Sequence, residues 1–448
     1  MRKIFLIVFT LFLATLQIAC QKYLETKPDK KMLLPEKLED VEAILDNVAQ
    51  LNMGASGLSE IGSDNHFLPI NNFNALTLDE YREGYIWSKN PAYKLQWSSP
   101  YTVIYIANTA LHALKDIKET NFFKKEELEG RALFFRAHSL FNIVQVFAKQ
   151  YRDKKSELDL GAVLVESPDV NTAYRRATVA ESYRFIIQDL ERAITLIKSD
   201  REVYPTRPTK LAAEGLLALV YLQMSDYERA YAYADALLQR YDEVLDYQSV
   251  SMKRFPFEPF NEEVIFYNRM LVQTNLMPSN ARISDDVFAL FKDNDMRKKL
   301  FFSKNTDGSI SFTGNYSAVE SNTQFNGITV PEIMLVRAES AIRLGRLDEG
   351  RADLRKLAKY RYVDLSFSQT LDVDQISLIK IVLEERRREL FFRGRRWSDL
   401  RRCSRSELGV FELSRQLDKV YTISIEDLAD FAYHIPFDVV MRGDVIQN

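Results

Sequence analysis

Cysteine is almost missing from this chain: Cys20 and Cys403 are the only two among 448 residues. A pair so placed, with Cys20 beside a leader, supplies no disulfide framework and no cysteine metal cluster. Histidine is nearly as scarce. His66, His112, His138 and His434 are the full set, and no two fall at ligand spacing on one helix face, so the sequence offers no zinc site. The GxSxG elbow, the Walker phosphate loop and a GxGxxG turn after a strand are also missing. Asp293, Asn294 and Asp295 lack the alternating ligands and central glycine of a calcium loop. The chemistry that an enzyme would need is thus hard to find, and no cofactor is expected. Charge of one sign is lacking too. The net charge of −3 leaves no basic excess for nucleic acid. Beyond the N-terminus no stretch reaches the roughly 20 apolar residues that span a bilayer.

What is present begins with MRKIFLIVFTLFLATLQIAC. Arg2 and Lys3 form a positive head, Ile4 to Leu16 an apolar stretch, and Ala19 precedes Cys20, the layout of a cleaved export signal. The residues before Cys20 fit a lipoprotein box except at Gln17. Two outcomes follow, a lipid on Cys20 or a soluble secreted chain cut nearby.

The mature chain reads as mainly α. Apolar residues at helical spacing predict helices over 38–47, 101–118, 124–149, 179–198, 209–223, 227–240, 331–344, 348–360 and 375–393. Leu217, Ala218, Tyr221, Ala230 and Leu237 fall at the spacings of a tetratricopeptide helix pair. Ala338, Ala341, Gly350, Leu354 and Leu357 repeat the pattern, with Gly345 in the turn where Ser225 sits in the first pair. A looser pair joins the helix of Ala132 and Arg136 to that of Asp189 and Ala193, across the loop 151–177. Neither helix of such a pair can bury its apolar face alone, so the pairs stack into a scaffold. Two loop-rich inserts, about 54–99 and 241–329, interrupt it, with a few short strands, one at 264–267, and a turn at Asp307-Gly308.

The densest basic cluster, EERRRELFFRGRRWSDLRR over 384–402, interleaves arginines with acids and an apolar stripe. It reads as a segment locked by packing and arginine–carboxylate forks. At this segment the chain resembles the SusD/RagB family of nutrient-binding outer-membrane lipoproteins. LETKP at 24–28, LEDVEAILDN at 38–47, 131–147, DLERAI at 189–194, RPTKLAAEGLLALVYLQMSDYERA, VPEIMLVRAESAIRLG and the terminal VIQN agree with that family in order. The chain is short for the family, and its ending HIPFDVVMRGDV is altered.

The resemblance implies residues 1–19 removed, Cys20 as the lipidated first residue, and residues 20–448 as one SusD-like domain. It further implies a surface-exposed protein of the outer membrane, seated on a TonB-dependent, SusC-like transporter and handing it an oligosaccharide or, in some branches, a peptide. Flat aromatic faces stack on sugar rings while amides bond the hydroxyls. Phe67, Asn71, Tyr85, Trp87 and Tyr316, from the two inserts, are therefore the candidate ligand-binding residues. Each has an ordinary alternative: Tyr85 and Trp87 alternate as in a half-buried strand, and Tyr316 sits near Gly314 in a polar loop. Two rivals remain, an exported tetratricopeptide adaptor with a groove lined by helix residues, and a surface glycosidase with two facing carboxylates.

Overall fold

The computed structural model describes residues 35–448 except 91–92, 119, 170, 318–322 and 444. The signal segment, the leader and Cys20 lie outside the described residues. Ten longer helices carry the architecture: α1 Leu38–Leu45, α2 Lys94–Asp116, α3 Phe122–Phe147, α4 Val179–Leu196, α5 Lys210–Gln223, α6 Tyr227–Leu238, α7 Val330–Arg343, α8 Leu347–Arg361, α9 Gln375–Glu389 and α10 Arg395–Arg402. From α2 to α8 each helix packs on the next, and α9 closes on α7. The mainly α, tetratricopeptide-like scaffold read from the periodicity is present.

The sequence marks where these helices start. Thr178 caps α4 by a reciprocal box: its hydroxyl accepts from the Glu181 amide, and the Glu181 carboxylate accepts from the Thr178 amide at 2.7 Å. Thr209 and Thr329 cap α5 and α7. Small residues let the pairs approach closely. A Cβ on Gly350 would stand 2.4 Å from Ile342 Cγ1 and 3.0 Å from the Ala338 carbonyl, so α7 and α8 touch backbone to backbone there. The connecting turns are alike: Ser225 at φ 59° and Gly345 at φ 81° both adopt the left-handed region, which costs the serine more.

Helix α2 starts seven residues before its predicted beginning. Ser98, Ser99 and Pro100 look like a break, yet Trp97 packs on Tyr101 (4.8 Å between rings) and Phe147 (5.0 Å), and that contact carries the helix through the proline. At its other boundary, α9 stops at Glu389, not at 393. Phe392 at φ 60° and Gly394 at φ 75° turn the chain, so that Phe392 stacks on Phe312 at 4.6 Å.

Strands are few, and each sheet has two of them. β1 Leu160–Val163 pairs with β2 Arg176–Thr178, β3 Val264–Phe266 with β6 Ile328–Thr329, β4 Phe302–Lys304 with β5 Ile310–Phe312, and β7 Glu412–Gln416 with β8 Val420–Ser424, all antiparallel. The β4–β5 turn contains Asp307 and Gly308, with Gly308 at φ 85°. The β3–β6 pair closes the neck of the second insert. Among the described residues no helix is long and apolar enough to cross a membrane.

Candidate functional site

The two inserts meet and are sewn together through backbone. The Phe67 amide donates to the Arg282 carbonyl (2.8 Å) and the Arg282 amide to the Phe67 carbonyl (2.9 Å). Leu271 donates to the Ala55 carbonyl (2.8 Å) and Arg269 to that of Asn52 (2.8 Å). Side chains repeat the stitching. Asn72 Nδ2 donates to the carbonyls of Ser279 (3.2 Å) and Asn280 (3.0 Å), and Tyr81 donates its hydroxyl proton to the Val272 carbonyl (3.3 Å). These bonds fix one face on which Phe67, at 40% exposure, Ile70 and Asn71 stand open to solvent.

Of the five candidate residues, only Phe67 and Asn71 reach that face. Tyr85 and Trp87 are corrected to core: Trp87 Nε1 donates to the Gly62 carbonyl at 2.9 Å, and Arg415 covers the Tyr85 ring at 4.3 Å and the Trp87 ring at 4.5 Å. They do not alternate in a strand, because Tyr85 ends a helix, Asp79–Tyr85, and Trp87 turns away at φ 53°. Tyr316 is corrected as well. Its hydroxyl lies between Tyr247 and the Glu263 carboxylate, and its ring packs on Phe257 (4.7 Å) and under Arg393 (4.2 Å). A ring so enclosed has no face left for a sugar.

Behind the inserts lies a buried ionic hub. Arg361 donates to both Glu389 oxygens (2.9 and 2.8 Å) and to Glu263 (2.9 Å), and Arg297 binds Asp295, Glu385 and Glu389. Burial pushes the Glu389 carboxyl up, but Arg361 and then Arg297 outweigh it and hold it below its ordinary value. Of the two acids of the Asp293–Asp295 stretch, Asp295 is taken up in this hub by Arg297, while Asp293 stands at the surface and pairs with Lys298. The basic segment also faces inward. Arg396 grips Asp64 with both arms (2.8 and 2.9 Å), Arg395 binds Glu332 (2.6 Å), and Arg402 spans Glu339 and Asp399. Glu60 differs, being buried without a cation in contact. Desolvation pushes its carboxyl up to about 7, against hydrogen bonds from Asn65, Gly394 and Ser63.

A groove lies on the scaffold, away from the Phe67 face. It occupies about 550 Å³ between α2 and α3 and is lined by His112, Lys115, Lys125, Glu129 and Glu166, with Arg136 at its floor. Arg136 is held there by a fork onto Asp189 (2.7 Å for both bonds). Periodicity predicted these helices but carried no signal for the groove. Among the described residues no group of three or more His, Cys, Asp or Glu is placed to hold a metal ion.

Comparison with known proteins agrees with this architecture. Residues 22–222 match a SusD-like family described as starch-binding and associating with the outer membrane, and residues 301–433 match the SusD family model, SusD/RagB. A SusD superfamily protein of Bacteroides thetaiotaomicron superposes with a TM-score of 0.73 at 20% identity, over 92% of this chain and 99% of that one. A SusD-like carbohydrate-binding protein of Bacteroides vulgatus gives 0.64 at 18% identity, over 87% and 89%. A laminarin-binding SusD-like protein gives 0.64 at 18%, over 91% and 97%. No curated protein matches the sequence. With the fold shared over nearly its whole length and two family models matched in order, the chain belongs to the SusD/RagB family.

Proposed function

We propose that this protein captures an oligosaccharide on the face where the two inserts meet, and presents it to a TonB-dependent, SusC-like transporter while held to the outer membrane by a lipid on Cys20. The observation that carries the reading is the exposed Phe67 ring beside Asn71 and the Asn72 clamp, a stacking surface next to amides on a backbone fixed from both sides. Relatives of the same fold that bind carbohydrate, one of them laminarin, support the ligand class. The family's association with the outer membrane and the export signal support the location. A peptide ligand, known from the family resemblance, would use the same face.

Titration of the mature protein against a panel of glycans, laminarin oligosaccharides included, and of peptides tests this. Saturable glycan binding that weakens about 3- to 10-fold in Phe67→Ala supports the proposal. Binding of a glycan unaffected by that substitution moves the site elsewhere. Radiolabelled palmitate incorporation, lost in Cys20→Ala, tests the anchor, and co-purification of a barrel protein from membranes tests the transporter. A second reading, a protein adaptor, is favoured by the groove between α2 and α3. It predicts no saturable binding to any glycan of the panel, and loss of a protein partner in Lys115→Glu or Lys125→Glu.

A further inference from the structure

Two phenylalanines stand side by side in solvent at the tip of the α2–α3 hairpin. Phe122 is 70% and Phe123 80% exposed, and they open the first turn of α3, which Asn121 caps by accepting from the Lys124 amide at 3.2 Å. The cap holds both rings on the end of a rigid helix. The α4–α5 connection adds to the same end: it leaves α4 where the Lys198 amide donates to the Glu127 carboxylate (3.1 Å), and it exposes Val203 and Tyr204. Large apolar side chains exposed together mark a protein or a membrane contact.

The course of α1 favours the membrane. Lys124 pairs with Glu39 (2.8 Å) and Glu42 (3.0 Å), and Arg131 with Asp46, so α1 runs parallel to the start of α3 and begins at the hairpin tip. The chain toward Cys20 therefore leaves the scaffold at the end where Phe122 and Phe123 stand. Residues 21–34 join Cys20 to Pro35, a reach of at most about 50 Å. At the opposite end of α2, Leu95, Phe437 and Met441 are exposed as well, and Lys94 pairs with Asp438 (3.2 Å). A lipid surface there would take up about 35 Å of that reach in passing the 23-residue α2, whereas one at the hairpin tip takes up none.

Charge does not select the surface. Exposed Lys115 and Lys118 stand against Asp116 and Glu126, and Lys124 is taken by Glu39 and Glu42. With both signs present, apolar area supplies the contact, and neither anionic lipid nor low salt is needed.

We propose that the hairpin tip is a second membrane contact: Phe122 and Phe123 sit in the interfacial layer of the membrane that carries the Cys20 lipid, and set the angle at which the domain stands on it. One anchor point leaves that angle open, and two points restrict it. The orientation rests on the lipid proposed for Cys20, but the contact itself is measured without native acylation, so failure of the one is distinct from failure of the other.

For the test, the unacylated mature chain is coupled through its Cys20 thiol to phosphatidylcholine vesicles that carry a maleimide lipid and brominated acyl chains; Cys403 is buried and spared. Phe123→Trp reports the tip against Trp87, Trp97 and Trp397, all buried, and Phe437→Trp reports the far end. A ring seated roughly 5–10 Å into the interface comes within reach of the bromines, so Phe123→Trp emission is expected to shift blue and fall about twofold at low and high salt alike, with Phe437→Trp emission unchanged. Unquenched Phe123→Trp emission overturns the proposal, as does equal quenching in Phe437→Trp. Absence of quenching together with release of a barrel protein from cell membranes in Phe122→Ser/Phe123→Ser assigns the tip to a protein partner and overturns it too.

Discussion

The helix pairs α5–α6 and α7–α8 and the inserts they carry are held together by different physics. In the pairs, apolar and small residues meet at short range: Ala230, Ala234, Ala338 and Ala341 are fully buried. In the inserts, cohesion comes from large aromatic rings, Phe291, Phe301, Phe302 and Phe312, joined by backbone bonds between distant segments and by the Arg297–Arg361–Glu389 hub beneath them. Packing of small residues tolerates variation in surface charge, whereas a charge hub tolerates almost none. A buried ion pair is weak evidence for stability as a pair, yet removing one partner strands the others.

The strongest way to break that contrast is at the hub. Glu389→Ala leaves Arg361 and Arg297 short of a partner and is expected to cost about 3–5 kcal/mol in chemical denaturation. Hydrogen exchange should loosen around Tyr316 and Arg297 while α5 and α6 stay protected. Equal loosening of both regions would erase the distinction.

Next in size is a pH effect that runs opposite to the hub's. The raised Glu60 carboxyl binds its proton more tightly when folded, so its stabilising contribution is present below pH 4.5 and fades as pH rises through about 7. A shift of that size corresponds to about 3 kcal/mol across the window, and Glu60→Gln should remove this slope from urea melts at stepped pH. The depressed carboxyls Glu385 and Glu389 behave conversely: their contribution is present above 4.5 and is lost on acidification below it, through about 2 for Glu385.

A scaffold change should cost less. Gly350→Ala forces apart α7 and α8 and is expected to lose about 1–3 kcal/mol with no change in glycan response. Thr178→Ala removes the cap of α4 for about 1 kcal/mol. Smallest of all, Phe67→Ala should leave the unfolding free energy within about 0.5 kcal/mol of the parent while glycan affinity falls, because an exposed ring contributes little to the core.

The same contrast explains what could be read in the sequence. Helices repeat every 3.6 residues, so α4 to α8 and their turns at Ser225 and Gly345 were legible from local pattern. The start of α2 was not, because Trp97 overrides Pro100 through a contact with Phe147. The inserts were legible only as irregular. Asn72 meets Asn280 at a separation of 208 residues, and no window of sequence records that. Tyr85 and Trp87 stand in polar surroundings and looked solvent-facing, but their cover, Arg415, comes from β7, 330 residues after Tyr85. Phe67 and Asn71 were legible as candidates because a short stretch placed an aromatic ring and an amide together.

One more consequence comes from the small β3–β6 pair. By joining Val264–Phe266 to Ile328–Thr329 it makes neighbours of the two ends of the larger part of the second insert, a cassette that runs from β3 to β6. Closure entropy grows only slowly with loop length. The cassette can therefore be lengthened, shortened or exchanged without redesigning the helices. Arg297 fastens the cassette to Glu385 and Glu389, so a replacement without that arginine would strand two buried carboxylates.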